Sequence, residues 1–494
     1  MKIIATIRKD VVAKAVQRAR ERKVILPQFA QMKDPSKIPP KVVEQLKGVG
    51  LWDVNPLNLF RITWKNDPAT AGGGYGEGNR LEFPSSLTGV EAKIVGIVGK
   101  WFPTGAHKVG AAYGCLVPRL VSGNFDPTRQ RAVWPSTGNY CRGGAYDCAL
   151  LGCPAVAILP EGMSRERFEW LKSIGTDEII ATPGTESNVK EIYDKCWQLR
   201  RERGDQIVIF NQFEEFGNAI WHYQVTGGVV EEIFRKHYAA NGGRLAAWVS
   251  ATGSAGTIAA GDFLRTKHPS IRVVAAEALQ CPTLYQFGFG SHRIEGIGDK
   301  HVPWIHNVRN TDIVCAVDDE QVMQLMRLFN EDAGRAFLKR QGVDAAVAGQ
   351  LDRAGISGIC NLVAAIKTAK RTKMGPKDVL FVPLTDSMEL YGSRLAEMAE
   401  AEGKYTDAKA AEHFKRYLQA APPDTMRELS EFDRKALHNF KYFTWVEQQG
   451  KMSDELRELW EPDFWKGIFA QEQVDEWDKL IAEFNAAAGV LKEL

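Results

Sequence analysis

No apolar run in the 494 residues approaches the roughly 20 needed to span a bilayer, so no membrane helix is expected. An excess of one charge is also missing. With 63 Lys+Arg against 61 Asp+Glu the formal net charge is +2, which leaves no electrostatic ground for a nucleic-acid or membrane partner. The eight cysteines are scattered and include no C-x-x-C pair, which argues against a disulfide framework and for thiols in a reducing cytoplasm. Cys141 and Cys148 read as packing residues rather than a metal or redox pair, because no histidine ligand pattern accompanies them. The first residues, "MKIIATIRKDVVAKAVQRARERK", offer only a short apolar run before charges interrupt it, and no signal-peptide pattern is expected there.

What is present is a chain long enough for two or three domains, with 44% hydrophobic residues to fill their cores. Residues 1–54 form a charged lead-in, and "NPLNLFRITW" reads as a turn entering a strand. "NDPATAGGGYGEGN" is Gly-rich but lacks the Lys-Ser/Thr ending of a P-loop, so a surface connection is expected. From about 95 to 390, β-rich runs alternate with helical patterns: "RAVWPS", "PAVAILP", "TDEIIAT", "DQIVIF", "RLAAWVS", "IRVVAAE" and "DVLFVPL". Such alternation predicts parallel sheets covered by helices, with ligands beyond the carboxyl ends of strands. Beyond about 400 the pattern is helical without strands. Leu429, Phe432, Ala436, Phe440 and Phe443 recur at helical spacing, suggesting one apolar face, and the extension reads as packing on the body or a second subunit rather than as a ligand sensor.

Two strand-to-helix loops carry polar groups. In "WPSTGNYCRGGAY" a strand runs into Ser136, Thr137, Gly138 and Asn139 and then into a helix, where hydroxyls, an amide and backbone N–H groups converge on the positive helix end. That suits a carboxylate or phosphate, although Ser, Thr and Asn are also ordinary caps. "VSATGSAGTIAAG" repeats the arrangement with Gly253, Ser254, Ala255, Gly256 and Thr257, a candidate phosphate cup. In "TGAHKVGAAYG" Lys108 lies among small residues, where poor solvation disfavours its charged form and makes the amine a candidate nucleophile for a carbonyl. A nucleotide-binding protein using "TGSAGT" is a weaker reading, since no acidic ribose partner is well placed after that loop.

These segments resemble one family. "TGAHKVG" is similar to the cofactor-lysine segment of the tryptophan synthase β subunit, and "PSTGNY" to the carboxylate-binding loop of cysteine synthases and threonine synthase. "FNQFEEFGNAIWHYQVTGGVVEEI", "GTIAAGDFLRTKHPSIRVVAAEALQCPTL", "HRIEGIGDKHVPWIHN" and "GISGICNLVAAI" resemble successive blocks of O-acetylserine sulfhydrylase, and "VPLTDSMELYGSR" the end of the cystathionine β-synthase core. The resemblance spans roughly residues 55–395 and implies a fold-type-II enzyme dependent on pyridoxal 5'-phosphate. Two parallel-sheet α/β domains would enclose the active site: a large one from 55–125 and 226–395 and a small one from 126–225, followed by a helical extension over 396–494.

It further implies that Lys108 forms the internal aldimine and moves the Cα proton, with His107 near the cofactor phosphate and Gly253 to Thr257 as its cup. Asn139 would meet the ring hydroxyl, and Ser136, Thr137, Gly138, Tyr140 and Gln212 would surround the substrate carboxylate. Gly296 and Gly298 would let backbone approach the substrate, and Ser387 would face the pyridine nitrogen, leaving the ring a weak electron sink that favours loss of a β-substituent. Arg142 is placed either on an exposed helix face or against a second anionic group of the substrate.

Departures from the pattern are the missing "NP" and "S-x-K" before Lys108, Ala255 in place of a cup glycine, and Tyr140 where a small Thr is common. The expected activity is β-elimination on a small β-substituted α-amino acid through an aminoacrylate, releasing keto acid and ammonia. A β-replacement synthase and a non-catalytic assembly or regulatory protein are the alternatives. A cytoplasmic homodimer is expected by analogy with the family.

Overall fold

The computed structural model describes residues 3–68, 74–136, 138–185 and 188–494. Its strands, numbered in chain order, are β1 (Arg80–Phe83), β2 (Lys93–Val98), β3 (Arg131–Pro135), β4 (Ala155–Pro160), β5 (Glu178–Thr182), β6 (Ile207–Ile209), β7 (Arg244–Ala251), β8 (Arg272–Ala278), β9 (Ile313–Val317), β10 (Asp378–Leu384) and β11 (Met426–Glu428). They form a seven-stranded sheet in the order β1-β2-β10-β7-β8-β9-β11 and a four-stranded sheet in the order β5-β4-β3-β6. The small sheet is wholly parallel; in the large one only the edge strands β1 and β11 run antiparallel to their neighbours. Strands such as β4, β9 and β10 are buried along their whole length, as expected of parallel strands covered on both faces.

Three expectations are corrected. "NPLNLFRITW" does not enter a strand: Pro56–Arg61 is a 3-10 helix, because the Asn55 side chain accepts the Leu57 N–H at 3.0 Å and Pro56 presets the first turn. The C-terminal region is helical except for β11, which covers the edge of the large sheet by pairing with β9. Finally, the Glu431–Lys441 helix does not bury the face read from its phenylalanines. It buries Leu437, His438 and Lys441 and leaves Phe432 82% exposed. Of the Gly-rich loop, residues 69–73 lie outside the described residues.

Lead-in and extension meet each other: both Asp478 carboxylate oxygens accept backbone N–H groups at the start of the Phe29–Lys33 helix, from Phe29 at 2.6 Å and Ala30 at 3.0 Å. Lys441 is fully buried, and its Nζ donates to the carbonyls of Trp304 and His306 at 2.9 and 2.7 Å. No carboxylate pairs with it among the described residues, and burial pushes its ammonium down to about 7.

Two helices bring the loops of the two sheets together. The Lys108–Val121 helix packs against the Asn139–Leu151 helix, and a Cβ on Gly143 would lie 2.8 Å from Val109 N and Cα and 2.9 Å from the Lys108 carbonyl carbon. Only a glycine lets those backbones approach so closely. Gly143→Ala is therefore expected to force the helices apart, lowering stability by about 1–3 kcal/mol in a urea titration. A second prediction concerns pH. The unfolded chain holds the Lys441 proton up to its ordinary pKa of 10.5 while the native chain releases it near 7, so this group makes stability rise with pH across that window. Lys441→Met should flatten the rise, measured as the difference between the two proteins' denaturation midpoints from pH 7 to 10.

Candidate active site

The side chains of interest hang on the loops that follow β2, β3, β6, β7, β8 and β10, at the carboxyl ends of parallel strands. His107, Lys108, Ser136, Asn139, Tyr140, Gln212, Gly253, Ser254 and Gly296 line one cavity. The Lys108 Nζ donates to Gln212 Oε1 at 3.1 Å and to Ser254 Oγ at 2.9 Å. Asn218 steadies both acceptors, its Nδ2 donating to Ser254 Oγ and to the Gln212 carbonyl at 3.0 Å each.

His107 is fully buried, stacked on Trp64 with ring centroids 5.7 Å apart, and neither ring nitrogen has a hydrogen-bond partner. Burial and the neighbouring Lys108 charge hold its imidazole well below the usual range, so it is neutral at pH 7. The β7 loop turns through Ala255, whose φ of +61° lies in the left-handed region where an L side chain is strained. Ser250 and Thr257 close the turn through their hydroxyls at 2.5 Å. Of the five cup residues only Gly253 and Ser254 face the cavity. At Gly253 a Cβ would stand 3.0 Å from the Gly296 carbonyl.

Asn139 opens its helix and donates from Nδ2 to Asp386 Oδ2 at 2.6 Å, leaving Oδ1 buried without a partner. Asp386 also accepts from Tyr391 OH at 2.6 Å, and Tyr391 OH in turn accepts from Arg167 Nη2 at 3.1 Å. Burial raises the Asp386 carboxyl, with Tyr391 and Arg167 working against that rise.

The expected positions of several residues are corrected. Ser387 is not among the residues lining the cavity, where Thr385 stands with its carbonyl held by the His107 N–H at 3.1 Å, but the Ser387 hydroxyl is fully buried two residues on and has no hydrogen-bond partner. The Thr385 and Ser357 hydroxyls lie 2.7 Å apart. Arg142 is neither exposed nor at the cavity. Its guanidinium is buried 4.5 Å from the Trp170 ring centroid and 5.9 Å from that of Trp52, and burial together with Arg167 lowers it to about 10. Gly138 and Gly298 stand behind the wall, Gly298 donating its N–H to the Thr252 carbonyl at 2.8 Å. Thr137 lies outside the described residues.

Phe213, Ile297, Asp299 and Thr385 line the cavity without having been singled out from the sequence. Each neighbours or lies between singled-out residues, as in "NQF", "GIGD" and "LTDS", but no residue type there announces chemistry.

A lysine at the mouth of one parallel sheet, facing a Gly-Ser turn from the same sheet and an asparagine from a second, defines the fold-type-II class. The family model described as "Pyridoxal-phosphate dependent enzyme" matches residues 102–386. A cysteine synthase of Staphylococcus aureus (strain Mu50 / ATCC 700699) is 30% identical over 252 residues, 51% of this chain and 73% of that protein. Among solved structures, a hydrogen sulfide-producing enzyme from Fusobacterium nucleatum superposes with a TM-score of 0.53 at 23% identity, covering 63% of this chain and 95% of its own. O-acetyl serine sulfhydrylase isoform 3 from Entamoeba histolytica gives a TM-score of 0.54 at 22% identity, covering 68% and 92%. The chain belongs to the pyridoxal-phosphate dependent enzymes of the cysteine synthase type, and its cofactor is pyridoxal 5'-phosphate.

The strain at Ala255 gives a test of the turn. Ala255→Gly is expected to hold stability within about 1 kcal/mol of the parent or raise it, since relief of the left-handed strain offsets the added chain freedom. Ala255→Val, β-branched at the same φ, should lower it by about 2 kcal/mol and weaken cofactor retention, read by denaturation and by cofactor released on gel filtration.

Proposed function

We propose that the enzyme removes the α-proton of a small β-substituted α-amino acid and expels the β-substituent, releasing keto acid and ammonia. The observation that carries this reading is the Lys108 ammonium held between Gln212 Oε1 and Ser254 Oγ, a single amine poised between a substrate wall and a Gly-Ser turn. Bound pyridoxal 5'-phosphate supplies the electron sink that makes the α-proton acidic. Residue roles follow from what each group can do. As the neutral amine, with its lone pair free, Lys108 Nζ takes the proton from the substrate Cα and becomes the ammonium. Ser136 and Gln212 bind the substrate carboxylate, one by its hydroxyl and the other by its amide NH2.

The cofactor fit is supported by buried polar atoms that lack partners within the protein: both His107 nitrogens, suited to donating to or accepting from a phosphate ester, and Asn139 Oδ1, suited to the ring hydroxyl. Gly253 and Ser254 offer a turn into which a phosphate can come close. Elimination is favoured over replacement because Tyr140, buried on the cavity wall, takes up space in which a second substrate would have to lie, whereas water needs little. β-Replacement is the second reading, favoured by the cysteine synthase relative.

Two finer readings accompany it. All eight cysteines are unpaired thiols, which supports a reducing cytoplasm. A homodimer is supported by the exposed rings of Phe287 and Phe443, which pack on the half-buried Phe440, and by Phe289, which is 74% exposed.

The test is to incubate the holoenzyme with a panel of β-substituted amino acids and assay keto acid and ammonia. Equal amounts of both without added thiol are expected, and Lys108→Ala should lose at least about 10³-fold in rate together with the absorption band of the lysine-bound cofactor. Product formed only when a thiol is supplied would replace elimination with β-replacement.

A further inference from the structure

The family model ends at residue 386, and the C-terminal helices lie beyond it. They reach the active site by a short series of bonds. Lys441 Nζ holds the Trp304 and His306 carbonyls, and Trp445 Nε1 donates to the Val302 carbonyl at 2.9 Å. The run 302–306 thus hangs from three hydrogen bonds to the extension. On its other side, the Ile305 N–H donates to the Phe213 carbonyl at 3.2 Å. Phe213 and its neighbour Gln212 form the cavity wall that receives the Lys108 ammonium.

A parallel link runs through charge: Lys451 pairs with Glu214 at 2.8 Å, and Asn211 Nδ2 donates to the other Glu214 oxygen at 3.3 Å. The Phe213 ring also packs against His301 with centroids 5.2 Å apart, beside the hold that Asn218 has on the Gln212 carbonyl and Arg119 on Glu215. Asn211, Glu214, Glu215 and Phe216 face a second cavity of about 600 Å³, closed on its far side by Trp304, Gln449 and Lys451.

We propose that Lys441 and Trp445 are positioning residues, through which the C-terminal extension sets the place of Gln212 and Phe213 against the substrate. The proposal rests on the reading of Gln212 as part of the substrate wall. The helix geometry matches this task. Lys441 is the last residue of its α-helix, and the π-turn Tyr442–Val446 that follows brings Trp445 onto the same buried side. Its indole packs against His301 and Trp304 with centroids 5.5 and 6.0 Å apart, so the carbonyls at 302, 304 and 306 all meet donors from one short stretch.

The experiment compares full-length holoenzymes carrying Lys441→Met or Trp445→Phe with the parent. Trp445→Phe removes the N–H donor and part of the indole but keeps an aromatic ring, so it serves if Lys441→Met does not fold. Hydrogen exchange of the amides in 211–216 is expected to quicken roughly tenfold in each folded variant, while β7 and β8 exchange as in the parent. KM for the best β-substituted amino acid should rise about fivefold with kcat within about twofold and the cofactor band unchanged. Unchanged exchange over 211–216 in Trp445→Phe overturns the proposal, as does a loss confined to kcat. If the parent itself turns over no β-substituted amino acid, the proposed function fails, and the exchange comparison still decides this inference by itself.

Discussion

The contact between the backbones of Gly143 and Val109 is what the rest of the site depends on. Lys108 starts a helix that belongs with the large sheet, and Asn139 starts one that belongs with the small sheet. Because those helices touch with no side chain between them, the loops at their amino ends face one cavity. Both sheets are parallel where it matters, so the carboxyl ends of β2, β3, β7 and β10 all deliver loops to that place. Chemistry that needs an amine, a phosphate-sized turn and an amide within one cavity is assembled from distant stretches, 146 residues separating the bonded pair Lys108 and Ser254.

Polar groups sealed around this cavity share a common logic. A buried imidazole with no partner and an amide oxygen left over after its NH2 group has been used are unfavourable in an empty protein. They become favourable once a polar heteroaromatic ester supplies the missing bonds. Behind them, Asp386 connects Asn139 to Tyr391 and Arg167, and Arg167 joins Arg394 on the carboxylate of Glu295, one residue before Gly296. The Asn139 amide and the glycine loop are thereby tied into one buried network rather than held by independent side chains.

Much of the architecture could be read along the chain. Strands β3 to β8 and β10 announce themselves as apolar runs between helical patterns, because parallel strands are buried on both faces. Lys108, Asn139 and the Gly-Ser turn were legible for a local reason: each follows a strand and opens, or directly precedes, a helix. In "LTDS" the lining residue is Thr385, its carbonyl held by a His107 N–H from 278 residues away in numbering (107 to 385), while the Ser387 hydroxyl lies buried without a hydrogen-bond partner. Arg142 was misplaced because the indoles that draw it away come from residues 52 and 170.

The sequence by itself determined the fold class, the amine and the loops, since these depend on local pattern: strand, small residues, helix start. Tertiary structure alone decided the work of the last hundred residues. Periodicity nominated Phe432 and Phe443 for burial, yet the helix turns Leu437, Lys441 and Trp445 inward. A buried lysine reads as surface in any linear scan, because the two carbonyls that accept from it are brought by a distant segment. Burial of a polar group is settled by where its partners lie in space, and spacing along one helix carries no record of that.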